Sequence, residues 1–269
     1  MIKNIIVIFL FIFSWKSSYA VNFYDGIHAP DNLYILTYSG YYQSNELTDN
    51  KSNSAIDNYG YDQFYELVRI AWYYSSFVIT GLISVGGEYV SSVPEGSFGL
   101  GDAQPGVGYF LPVKFIDIFP MVFVKFPTGE YEKDKSVNFG SNQIDLKPMI
   151  FFNKRIKNFM FDGVVKYYHR FKDTENNIEI ADELYIESVI GYRIRKIIFG
   201  PSMKWKRNIK KKITGETVEG KNVQKYSLGC DFLFPLNQSN VTFTYLNDIY
   251  AENTLKGHFF QLKVVYKAL

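Results

Sequence analysis

The stretch QIDLKPMIFF, residues 143–152, decides the architecture. Laid out as a strand, it puts Gln143, Asp145 and Lys147 on one face and Ile144, Leu146, Pro148, Ile150 and Phe152 on the other. Antiparallel sheets often have one wet face and one greasy face. Which face turns toward the middle of the molecule separates a core of oil from a core of water.

Other segments repeat the pattern. In 183–195 one face carries Leu184, Ile186, Ile190, Tyr192 and Ile194, while the other holds Glu187, Gly191, Arg193 and Arg195. In 222–234 Tyr226, Leu228, Cys230, Phe232 and Phe234 oppose Lys225, Ser227, Gly229 and Asp231. The last segment sets Phe260, Leu262, Val264 and Tyr266 against Gln261, Lys263 and Lys267. A small soluble barrel fills its interior with apolar side chains. Here the apolar faces are aromatic-rich, and the polar faces mix small residues with both signs of charge. That arrangement fits lipid outside and a charged, partly hydrated interior, so Asp145 and Lys147 point inward.

Segments of this kind recur about twelve times: 32–44, 60–74, 76–88, 98–110, 114–126, 142–153, 158–171, 183–195, 197–207, 222–234, 240–250 and 256–268. Their connections alternate between long and short. SNELTDNKSNSAIDN, PTGEYEKDKSVNFGS and NIKKKITGETVEGK are long and polar, whereas LPVK, KRIKN and PLNQS are short. An up-and-down barrel with one end outside the cell and one in the periplasm has this alternation, and a soluble sandwich has no reason for it. The expected fold is all-β: a transmembrane, up-and-down antiparallel β-barrel of about twelve strands over residues 32–269. Pro148, Pro105, Pro120 and Pro201 fall inside strands of a sheet with no edge, so β-bulges are expected there.

Residues 1–20, MIKNIIVIFLFIFSWKSSYA, have a basic start, an apolar run and small residues at 18 and 20. They read as a cleaved secretory signal peptide ending at Ala20, followed by a short periplasmic segment, 21–31. The apolar run is too short to span a bilayer, which takes about 20 residues. Loss of Lys3 and Lys16 removes the chain's formal charge of +2, and a neutral exported chain argues against a nucleic-acid partner. With one cysteine no internal disulfide forms, and three histidines give little scope for a metal site. Gly99, Gly101, Gly106 and Gly108 open no helix, so they read as close strand packing and not as a nucleotide loop; no cofactor is implied. An aromatic fraction of 18%, with 24 Phe and 22 Tyr, suits strands and membrane interfaces alike.

Several stretches resemble the outer-membrane barrel family named for the MetA pathway of phenol degradation. They are APDNLYILTYSGYYQSNELTDNKSN, ELVRIAWYY, GLGDAQPGVGYFLP, FVKFPTGEYEKDK with QIDLKPMIFF, and the closing TFTYLNDIYAENTLKGHFFQLKVVYKAL. GLGD and FPTGEY are the most specific of these. The resemblance spans most of the chain after residue 20. It implies a bacterial outer-membrane barrel, inserted by the barrel-assembly machinery into outer-membrane lipid, that moves small hydrophobic or aromatic solutes. The chain departs from the usual aromatic last residue by ending Tyr-Lys-Ala-Leu.

Strand parity projects a set of charges into the lumen as a candidate solute path. Arg69, Asp102, Lys125, Asp145, Lys147 and Asp162 come from the first half, and Lys166, Glu187, Arg193, Lys204, Asp231 and Lys263 from the second. Phe123 and Tyr168 share the inward parity. For any one of these charges the stronger reading is an internal salt-bridge network, since charges removed from water need partners. Two other functions stand beside transport. One is a structural or adhesive barrel acting through loops 45–59 and 207–221. The other is a lipid hydrolase, for which His169 and His258 lack a recognisable serine partner pattern.

Overall fold

A computed structural model describes residues 21–92, 94–135, 137–172, 181–209, 222–236 and 239–268. Every regular element among them is a strand. In chain order these are β1 (Asn32–Thr48), β2 (Ser54–Tyr74), β3 (Phe77–Val90), β4 (Glu95–Leu100), β5 (Gln104–Tyr109), β6 (Asp117–Lys125) and β7 (Asp145–Ile156). They continue with β8 (Phe159–Arg170), β9 (Glu183–Ile194), β10 (Ile197–Asn208), β11 (Gln224–Leu236), β12 (Ser239–Glu252) and β13 (Leu255–Lys267). Each pairs antiparallel with its neighbours, and β1 closes the ring on β13. The inner half of β3 pairs with β5 and its outer half with β4. β4 and β5 are therefore one stave broken at Gly101–Ala103, and the barrel is a closed ring of twelve staves.

The expected segments all coincide with strands, but the boundaries differ at the far ends. β1 and β2 extend through most of the stretch expected as a loop, leaving only residues 49–53 between them. Cross-strand pairs such as Leu47–Ile56 carry the sheet beyond the membrane band there. The region around NIKKKITGETVEGK lies largely outside the described residues, as do 173–180. At the opposite end, two-residue turns at 75–76, 157–158 and 195–196 each place a non-glycine residue, Ser75, Lys157 or Arg195, in the left-handed region. β1 starts and β13 ends at that same short-turn end.

The prolines produce no bulges. Pro148 pairs with Val122 on β6, while on the β8 side pairing lapses between Leu146–His169 and Met149–Lys166 without a slip in register. Pro201 does likewise, bonded toward β11 and unpaired toward β9. Pro105 pairs with β3 only, and Pro120 with β7 only. Each proline omits the bond that its missing N–H could not make, and the flanking register carries the strand across the gap.

The outer surface is apolar. Ile70, Ile79, Ile190, Leu228 and Leu262 are exposed around the wall, as membrane lipid requires. Rings gather near its short-turn end, where Trp72 stacks on Tyr74 at 5.7 Å and Phe77 meets Tyr109 at 4.9 Å. Charged side chains are buried inside instead. An apolar belt around a charged core, with every stave paired to its neighbours, is a membrane-spanning barrel of the bacterial outer membrane.

Candidate functional site

The lumen has two unlike halves. Along β9–β13 it is a charge network. Glu183 receives Lys206 at 2.6 Å, Arg170 at 2.8 Å and the Tyr185 hydroxyl at 2.6 Å. Asp248 receives Lys225 at 2.5 Å, Ser227 at 2.6 Å and Tyr42 at 2.9 Å. Glu187 accepts Lys166 at 2.9 Å and lies 3.6 Å from Lys204. In a region shut off from water, such pairing is what keeps these groups from a large desolvation cost. A cavity of about 40 Å³ remains beside Lys204, Lys206, Lys225, Leu246 and Phe259, room for about one water.

Along β5–β8 the inner wall is aromatic. Phe110 stacks on Phe119 at 4.0 Å and 6°, Phe119 on Phe151 at 5.8 Å, and Tyr168 meets Tyr185 at 4.9 Å. Gly106 and Gly108 make this packing possible, because a Cβ there would meet Phe123 and Phe119 at 2.5 Å. Arg69 lies over the Phe123 ring at 5.6 Å and Lys147 over Tyr168 at 4.7 Å, so cations here sit on ring faces. The wall is thin at this point: β5 and β6 share three residue pairs, 106–108 against 121–123. Over that seam the outer face carries an apolar groove of about 980 Å³, lined by Val107, Val122, Pro148 and Ile150 together with the inward Met121 and Met149.

The interior is also closed from the short-turn end by the chain's own residues 21–25, where the sequence placed a periplasmic segment. Asn22 Nδ2 donates to Thr244 at 2.5 Å and Asp231 at 3.2 Å, and its oxygen accepts from Gln261 at 2.8 Å. Phe23 is fully buried among Met160, Val189, Ile198 and Leu233. Lys263 binds the Phe23 carbonyl at 3.1 Å and Asp25 at 2.6 Å.

The predicted lumen residues therefore divide among distinct places. Asp102, Lys125 and Asp145 form one cluster at the outer end, with Lys125 2.6 Å from Asp145 and 3.7 Å from Asp102. Lys147 donates to Gln104 at 2.9 Å. Lys166, Glu187 and Lys204 form the central cluster, and Asp162, Asp231 and Lys263 surround the N-terminal segment. Arg69 stands apart on the aromatic side, donating to Thr80 at 3.0 Å. Arg193 departs from the prediction: it shares the inward parity but is exposed at the short-turn rim, bonded to Tyr24 at 2.9 Å. Being one residue from the turn, it runs out of barrel. Parity alone also points to Arg170, Glu183, Lys206, Lys225 and Asp248, which the predicted set lacks. No strand pattern could have signalled Asn22 and Asp25, which precede the first strand.

His169 lies 3.2 Å from Asp182 and edge-on to Phe171, and His258 bonds the Tyr245 hydroxyl at 2.9 Å. Both are partnered residues of the barrel wall.

The family described as "Putative MetA-pathway of phenol degradation" matches residues 44–264. The chain belongs to this family. Among solved structures, the MetA-pathway barrel is similar to the COG4313 outer membrane channel from Pseudomonas putida F1, with a TM-score of 0.83 at 13% identity over 91% of this chain and 99% of that one. It resembles the KdgM porin less, at 0.52 and 8% identity over 87% and 99%. The beta domain of the Bordetella autotransporter BrkA scores 0.50 at 12% identity over 88% and 99%. At these identities the likeness is one of fold. No curated protein matches the sequence.

Proposed function

We propose that this MetA-pathway barrel passes small hydrophobic solutes, aromatic ones among them, passively through the outer membrane. One observation carries the reading: the aromatic and methionine-lined inner wall at β5–β7 lies directly behind the thin seam and the apolar groove. A planar apolar molecule finds rings and thioethers on both sides of that wall, and ring stacking with sulfur contacts is the chemistry that holds it. The charge network opposite leaves little free volume for a broad hydrophilic stream, and its near balance of signs suits neither cations nor anions. Twelve staves enclose less space than the 16–18 of general porins. The family's description agrees with this direction, and so does the likeness in fold to an outer membrane channel. No energy-coupling element is built into the reading, so solute runs down its gradient.

The alternative, a barrel serving its outer loops, is favoured by the filled lumen. Uptake of a radiolabelled monocyclic aromatic hydrocarbon by cells with and without the protein separates the two. Transport requires faster initial uptake in cells that carry it; equal rates favour the loop function.

A further inference from the structure

The backbone nitrogen of Val21 lies 2.6 Å from Glu187 Oε2, both residues buried, with Lys166 on the same carboxylate. A contact that short to a buried carboxylate suits a charged donor better than an amide. We propose that this nitrogen is the mature N-terminal α-ammonium, and that cutting the chain after Ala20 creates the ion pair that seats residues 21–25 in the barrel. Hydrolysis of the Ala20–Val21 bond adds one water. The C–N bond breaks, Ala20 leaves as a carboxylate, and Val21 keeps the nitrogen as NH3+. A neutral donor of one hydrogen thus becomes a cation with three.

The surroundings are built for such a group. Glu187, Asp25, Asp162 and Asp231 lie around the segment against Lys166, Lys204 and Lys263, an excess of one carboxylate that one further cation offsets. Downstream of Val21 the fit leaves no slack. Asn22 is held by three side-chain bonds, and Phe23 fills the space over Gly191, where a Cβ would collide with its ring. A chain one residue longer would present an amide at Glu187, a donor of one hydrogen without the charge. Glu187 is then a receptor for the processed end of its own chain, and leader removal and closure of the lumen are one event.

The test uses the full chain exported with its own leader. Mass spectrometry of the outer-membrane protein is expected to find Val21 as the first residue; a different start overturns the proposal. Labelling by an aldehyde reagent selective for α-amines is expected to be about tenfold faster in Glu187→Gln than in the native barrel, since the glutamine keeps the oxygen but not the charge. One alanine inserted between Ala20 and Val21 is expected to raise single-channel conductance, and adding Glu187→Gln to that variant to raise it no further. A native α-amine that labels as fast as in Glu187→Gln, an insertion without effect on conductance, or additive effects of the two changes would each overturn it. Heat-dependent gel mobility reports whether each variant is folded; if Glu187→Gln fails to assemble, conductance of the insertion variant decides alone.

Discussion

The carboxylate of Asp102 accepts the backbone N–H of Gly129 at 3.0 Å, 27 residues along the chain. Ala103 N–H donates to the Thr128 hydroxyl at 2.9 Å, Glu130 N–H to the Leu100 carbonyl at 2.9 Å, and Ser141 bridges Asp102 and Lys125. GLGD and FPTGEY, the two stretches by which the family is most readily recognised, are thus the halves of one clasp. It fastens residues 126–144 onto the break between β4 and β5 at the outer end. The break in the stave is what turns Asp102 inward.

Asp102→Ala is therefore expected to free this loop without unfolding the barrel, because Lys125 keeps Asp145. Loss of the charged acceptor should cost about 1–3 kcal/mol locally. Trypsin added to whole cells should then cut at Lys133 or Lys135 several times faster than in the native protein. Unchanged cleavage would mean the loop is held elsewhere.

Gly191→Val should evict Phe23, whose ring stands where the new side chain must go. With Asn22 and Asp25 still bonded, the segment should loosen and not leave. Planar-bilayer recordings should show more frequent or larger open events. Equal conductance would indicate that residues 21–25 do not obstruct the lumen.

Cys230 shares the outward parity of Leu228 and Phe232, and Asp231 is fully buried beneath Asn22. A membrane-impermeant maleimide should leave Cys230 largely unlabelled. A cysteine substituted for Asp231 should also be protected, and should react once Gly191→Val is added. Ready labelling of Cys230 would shift the β11 register by one residue and invert its faces.

Much of this was legible in the sequence because a strand's two faces are read by parity alone. QIDLKPMIFF showed Asp145 and Lys147 inward, and every predicted segment met a strand. Two features were hidden for physical reasons. The outer ends of β1 and β2 pair largely through polar residues, as at Glu46–Asp57 and Thr48–Ser54, with no sustained alternation to betray them. The segment at Asn22 and Phe23 has no period at all, and its place is fixed by partners more than 130 residues away. The prolines misled for a third reason: a ladder can drop bonds on one side and keep its register, which composition does not reveal.

The closed ring of paired strands should resist detergent until boiled, giving different gel mobilities before and after heating, with a sheet-rich circular dichroism spectrum. A helix-rich spectrum, or recovery in the soluble periplasm, would be incompatible with the barrel.

The claim that the aromatic wall carries solute is tested most directly in liposomes holding the folded protein. Flux of a small aromatic hydrocarbon and of a sugar of similar size would be compared for the native barrel, for Phe119→Ala, and for a Val107→Cys, Val122→Cys pair that bonds β5 to β6. Aromatic flux is expected to run well above that of empty liposomes and above the sugar's, to fall several-fold with either change, and to be restored in the cysteine pair by reductant. Aromatic flux no faster than through empty liposomes, across native and altered barrels alike, would contradict the claim.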